Sequence, residues 1–197
     1  SRQLHLAPKT EAHERLQATL VARVEAIKAR GGRTEKGDDI ILSIIGDGRH
    51  SAIDLRYVDP KAVSSADSKL NQMIDNAFNI WRDSKNTRFY DPGTNYEKEI
   101  GRGPATQMIF SNLGVNGRGP LNFSGYDWIR RELIRRGVPK NEIAFIRDYK
   151  SHVARQKLFN DMNEGKVRFL IGTTQNMGVG INAQRRLLAV HNLDPLW

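Results

Sequence analysis

Cysteine is absent from this 197-residue chain, which excludes disulfides and thiolate metal sites. No apolar run approaches the length of a membrane-spanning helix, and no secretory signal precedes the first charged residues. A cytoplasmic protein with no membrane partner is the expectation. The phosphate-binding loop G-x-x-x-x-G-K-[ST] is missing as well. With it go the lysine that would reach the β- and γ-phosphates of a nucleotide and the hydroxyl that would hold magnesium. No Asp-Glu pair at a predicted strand end offers a magnesium site or a base to orient water. Phosphoryl transfer is positioning plus charge stabilisation by those parts, so the chain by itself is expected to be catalytically inactive toward ATP. Its histidines, His5, His13, His50, His152 and His191, show no metal-ligand spacing, and no metal site is predicted.

What is present is basic. Lysine and arginine number 31 against 22 acidic residues, for a net charge of +9 and a pI near 10.0. Such a balance favours polyanionic partners through counterion release, without implying a sequence preference. With 39% hydrophobic residues, the chain can bury one core of ordinary size and carry an appendage.

The first 66 residues read as that appendage. Residues 1–9 form a loose arm. Thr10 can cap a helix with Glu11 and Glu14 in its first turn, where negative charge complements the dipole. Leu16, Leu20, Val24 and Ile27 then form one apolar stripe, which Gly31 and Gly32 end. Residues 40–45, IILSII, fit either a strand or a short buried helix, and GDGRH after them is a turn signal. Asp67 or Ser68 can cap a further helix to about Arg82, with Leu70, Ile74, Phe78 and Trp81 on its apolar face. Residues 84–106 hold Pro, Gly and charges without periodicity and read as a long loop.

From Gln107 the pattern is regular. QMIFSNLG is a buried strand ending in Ser111, Asn112 and Gly114. Residues 126–136 form a helix closed by Gly137, with Ile129, Leu133 and Ile134 on its buried side. EIAFIRD is a second strand. Residues 151–164 form a helix closed by Gly165, with Ala154, Leu158 and Met162 inward. VRFLIG is a third strand and RLLAVHNLD a fourth. Continuous apolar strands alternating with helices predict an α/β domain with a mainly parallel sheet covered on both faces.

Residues 172–184, GTTQNMGVGINAQ, lie between the third and fourth strands, a glycine-rich loop with no room for a helix. Hydroxyls, amides and close-approach glycines do not build a core. They offer hydrogen bonds at the end of a buried strand, the edge where open parallel sheets bind ligands. Gly178, Gly180 and Ala183 match G-x-G-x-x-A literally. A dinucleotide fingerprint needs its glycines at a strand-to-helix turn. Here Thr173 to Met177 intervene and a strand follows, so that reading is set aside.

The order of residues from Ala154 to Trp197 resembles the second motor domain of superfamily 2 helicases, in the Swi/Snf-type branch. Arg155 and Gln156 open a helix, Phe159 follows, and Thr173, Gly178, Gly180, Ile181, Asn182, Asp194 and Trp197 come at near-family spacing. Met177 departs from the Gly or Ala of many members. The run is also similar to bacterial, phage and mobile-element proteins that couple such a helicase to an adenine-specific DNA methyltransferase. The resemblance is specific from residue 107 to 197 and weak before it.

The resemblance implies a RecA-like three-layer αβα domain over residues 67–197, preceded by the helical appendage 1–66. It implies that Ser111, Asn112, Thr173, Thr174 and Arg155 contact a nucleic-acid backbone. Gly178, Gly180 and Asn182 would face ATP across an interdomain cleft. ATP and magnesium would belong to a longer parent protein, with DNA and the parent's first motor domain as partners. A chain that opens on Ser1 and stops at Trp197, shortly after a strand, reads as an excised fragment of that parent. Lys69 matches the Ser-Lys that opens the family's domain, and Asp47, Gly48, Arg49, Asp54 and Arg56 are expected to be structural or interdomain residues. Arg155 at a helix start opposes the dipole, so Asp148 or a phosphate would compensate it. The arginines 130, 131, 135 and 136 form either a solvated face or a basic patch.

Overall fold

The structure, a computed structural model, describes residues 3–4, 6–32, 39–177 and 181–194. The chain forms two compact units, Ser1–Gln72 with Asn116–Ser124 and Met73–Val115 with Gly125–Trp197.

The first unit is helical. Helix α1 (Glu11–Ala29) starts where the Thr10 hydroxyl accepts the His13 N–H, as a side-chain cap should. Of its apolar stripe only Ile27 is fully buried; Leu16, Leu20 and Val24 are half covered. Helix α2 (Ile41–Ser51) resolves the IILSII segment as helix and runs straight through GDGRH. The turn signal is overridden by tertiary contacts, and the glycines of the segment meet only ordinary packing. A Cβ on Gly48 would touch Leu20 at 3.6 Å, and one on Gly46 would touch Arg118 at 3.5 Å. Between them Asp47 accepts from Arg23 and Arg118, each at 2.7 Å. Asp54 and Arg56, both buried, form a bidentate pair at 2.8 and 2.7 Å. These acids and bases hold the unit together.

Residues 116–124 close this unit. Arg118 and Phe123 exchange backbone hydrogen bonds at 3.0 and 2.9 Å, Phe123 meets the Tyr57 ring edge-on, and the Arg56 guanidinium lies over Phe123. Gly119 sits in this turn at φ 70°, and a Cβ there would lie 2.1 Å from the Tyr57 carbonyl oxygen. Left-handed backbone and overlap with main chain act together. Gly119→Ala should therefore destabilise this unit by about 3 kcal/mol. Hydrogen exchange of the α2 amides measures it, and unchanged protection would refute the reading.

Helix α3 (Lys69–Asp83) carries the chain from the first unit into the second. The Ser68 hydroxyl accepts the Asn71 N–H at its start. In the second unit it buries Met73, Ile74, Ala77 and Trp81. The segment 84–106 is a structured excursion: β1 (Thr87–Tyr90) and β2 (Glu99–Gly103) form an antiparallel pair. Short strands with half-covered faces leave no periodic apolar signal, which is why a loop was expected.

β3 (Thr106–Phe110), α4 (Gly125–Arg135), β4 (Ile143–Phe145), α5 (His152–Asn163), β5 (Phe169–Gly172), α6 (Thr174–Met177) and β6 (Leu187–Asn192) follow. The strands make a four-strand, all-parallel sheet in the order β4-β5-β3-β6. The chain is thus an α/β protein with a parallel sheet flanked by helices and preceded by N-terminal helices. β4 and β5 are buried throughout and β3 nearly so, as strands covered on both faces must be. β6, at the sheet edge, alternates instead, leaving Leu188 and Val190 about half exposed. Met108, Ala144, Ile146, Leu158, Met162, Leu170 and Met177 are among the residues of the core. Inside it Gln107 donates to the Ala77 carbonyl at 2.9 Å and accepts from the His191 ring at 2.8 Å.

Two local expectations change. β4 is shorter than predicted, because Ile146–Asp148 tightens into a 3-10 turn. On α4, Ile129 and Leu133 are buried with Tyr126, but Ile134 is 38% exposed; positions 126, 129 and 133 define the inward stripe and 134 falls beside it. Among the described residues no helix is long and apolar enough to cross a membrane.

Candidate nucleic-acid interface

Because the strands are parallel, their carboxyl ends share one edge. Phe110 lies level with Gly172 on one side and Asn192 on the other. The ladder continues one step past the strands: Ser111 N–H donates to the Gly172 carbonyl and Leu193 N–H to the Phe110 carbonyl, both at 3.0 Å. Three chain ends then meet at Asn112.

Asn112 ties them. Its Oδ1 accepts the Thr174 N–H at 2.9 Å, and its Nδ2 donates to Thr174 Oγ1 at 3.2 Å and to the Asp194 carbonyl at 3.3 Å. The Asp194 carboxylate accepts the Asn112 N–H at 2.8 and 3.0 Å and the Leu113 N–H at 2.9 Å. A carboxylate held by main-chain donors is a charge-assisted anchor. Asp194 is buried and so is Tyr126, whose hydroxyl donates to the Ser111 carbonyl at 2.8 Å. Burial first, and the Asp194 charge second, push the Tyr126 phenol well above its ordinary range, so it remains a neutral donor.

The loop after β5 holds a helix after all. Thr173 caps the single turn α6, accepting the Asn176 N–H on Oγ1 at 3.2 Å. A hydroxyl that accepts still has its own proton to give. The half-exposed hydroxyls of Thr173 and Thr174 can therefore donate to an oxyanion outside the edge. Gly172 admits this turn closely: a Cβ there would lie 2.4 Å from Ile146 and from the Met177 sulfur.

Of the residues expected to bind nucleic acid, Ser111, Asn112, Thr173 and Thr174 come together. Ser111 is buried, however, and its hydroxyl donates to the Leu113 carbonyl at 2.8 Å, so it shapes the loop. Arg155 lies in the first turn of α5, after β4. Within the chain its partner is the Tyr149 carbonyl, at 2.9 Å, and not Asp148. Asp148 faces Arg130 at 3.7 Å and Arg147 at 3.8 Å. Asn182 is exposed, its carbonyl accepts from Asn163 at the end of α5, and it precedes β6, so it belongs to the opposite edge of the sheet. Gly178, Gly180 and Trp197 lie outside the described residues.

The α4 arginines are engaged individually. Arg130 lies over Phe145 and Arg131 over Trp128. Arg135 pairs with Glu132 at 2.8 Å, and Arg136 pairs with Asp75. Sequence reasoning missed Arg168, buried inside the β5 approach; its only signal was a charge within the apolar run VRFLI.

Comparison with protein-family models and with curated proteins finds no match for this chain. A four-strand parallel sheet with flanking helices is compatible with a RecA-like domain and with other α/β folds.

Proposed function

We propose that this chain is the second motor domain, RecA-like, of an ATP-dependent DNA helicase or translocase of superfamily 2, Swi/Snf type, and that it supplies backbone contacts to the tracked nucleic acid. The observation that carries the reading is the Asn112–Thr174–Asp194 junction, which sets two threonine hydroxyls at the carboxyl edge of the parallel sheet. Hydroxyl and amide donors grip phosphates without reading bases, which is what movement along any sequence requires. The basic balance of the chain supports the same partner.

The residues present do not by themselves fit ATP and magnesium. The phosphate loop is missing from the sequence, and no group of three His, Asp or Glu among the described residues is arranged to hold a metal. In this proposal a first motor domain of a longer parent contributes those parts; the expected cleft residues Gly178 and Gly180 lie outside the described residues, and Asn182 lies at the other edge of the sheet.

The test is ATP hydrolysis by the parent protein, with and without duplex DNA, beside this chain alone. DNA-stimulated turnover by the parent and none by the chain is the expected result. DNA binding by the chain should be weak, indifferent to sequence and steeply weakened by salt. No turnover by either protein, with DNA binding retained, would replace the motor with a non-catalytic nucleic-acid-binding module of the same fold.

A further inference from the structure

At the amino edge of the sheet, opposite the junction at Asn112, lies a cavity of about 220 Å³ lined by Phe89, Ile100, Gly101, Asn163, Glu164, Arg185 and Arg186. Its walls come from the β1–β2 hairpin, the end of α5 and the approach to β6. We propose that this cavity is a binding site for a phosphate group, with Arg186 and Arg185 as its cationic donors.

Arg186 is held in place yet left with capacity. Its Nε donates to the Asn163 carbonyl at 2.9 Å, and its guanidinium lies 5.3 Å from the Phe89 ring centre. Nη1 is sealed without a hydrogen-bond partner. It fits against Gly103, where a Cβ would come within 2.4 Å of it. One ring face, one carbonyl and one glycine thus fix the plane of the group, leaving Nη2 as its remaining donor in a side chain that lines the cavity. Among the described residues no carboxylate forms an ion pair with Arg185 or Arg186. The one acid of the cavity, Glu164, is taken by Lys166. Arg185 is exposed, and its backbone N–H is fixed by Asn163 Oδ1 at 3.1 Å.

A half-buried guanidinium with no internal counter-charge is an unsettled arrangement, because desolvation disfavours an unpaired cation. A phosphate would supply the missing counter-charge, accepting a single charge-assisted hydrogen bond from Arg186 beside the charge of Arg185. The cavity holds a phosphate with space left for the group that bears it. Two sources have this chemistry, a free phosphate or mononucleotide and the backbone of a nucleic acid.

The test follows the arginine Nε–H resonances and the Asn163, Arg185 and Arg186 amides by NMR in this chain, titrated first with inorganic phosphate and then with a short DNA duplex. Chloride at matched ionic strength is the control. Saturable shifts with phosphate that chloride does not reproduce are expected, and Arg186→Gln should weaken binding about tenfold, the loss of one charged hydrogen bond. Arg185→Gln, at an exposed position, keeps the fold and should weaken it in the same direction. Shifts with both probes at these residues assign the site to a nucleic-acid backbone; shifts with phosphate alone assign it to a free phosphate compound. No shift with either probe, equal shifts with chloride, or binding untouched in both variants would overturn the proposal.

Discussion

Arg168→Met should destabilise the sheet-bearing unit by about 3 kcal/mol, a large part of the 5–15 kcal/mol available to a folded chain. Arg168 precedes β5 and is 3% exposed. Its Nε donates to the Ala105 carbonyl at 2.9 Å, and its Nη2 to the Trp81 carbonyl at 2.8 Å and the Ser84 hydroxyl at 2.9 Å. It thereby pins the end of α3 to the amino end of the sheet. The guanidinium also lies over the Trp81 ring, whose indole N–H donates to Glu142 at 2.6 Å. Burial pulls the Arg168 pKa below the ordinary arginine value while Glu142 opposes the shift, so some desolvation penalty is relieved when the charge is removed. That relief offsets only part of the loss, because three acceptors remain buried without their donor. Lysine should restore little, since a single ammonium cannot span the fork. Urea titration of the variants by tryptophan fluorescence measures the effect; a change within about 0.5 kcal/mol of the parent, typical of a surface site, would show that water replaces these bonds.

Asp194→Ala is the second large effect, about 2–4 kcal/mol, and it reaches the proposed function as well as the fold. The substitution strips the Asn112 and Leu113 N–H groups of the carboxylate that accepts them. Asn112 then loses the brace that points its amide at Thr174. Asp194→Asn keeps the shape and one acceptor oxygen but not the charge, and should lose roughly half as much. Thermal unfolding reads the stability. In the parent protein the same substitution should lower DNA-stimulated ATP turnover more than turnover without DNA. An equal fall in both would mean that Asp194 supports only the fold.

These two residues show where the sequence was legible. The Thr10 and Ser68 caps, the helix ends near Gly137 and Gly165, and the continuous apolar strands are local features. Each depends on residues within a turn or two, so propensity and spacing suffice. The parallel α/β sheet follows from their alternation. Ser111, Asn112, Thr173 and Thr174 were readable because polar residues directly after buried strands fall at a parallel sheet's carboxyl edge. The β1–β2 hairpin was not, because its strands are short and only half covered. The helix through GDGRH was not, because distant partners, Arg23 and Arg118 on Asp47, override the local glycine signal.

By itself, then, the sequence determined a basic α/β chain without a phosphate loop, with its polar loops at strand ends, since those properties reside in composition and short-range pattern. Only the tertiary structure decided which polar groups work together. It joined Asn112 to Asp194 across 82 residues and Arg168 to Trp81 across 87, and it gave Arg155 the Tyr149 carbonyl as its partner within the chain in place of Asp148. Buried hydrogen bonds must be satisfied wherever the chain brings donors and acceptors together, and that meeting is set by strand order and packing, not by separation along the chain.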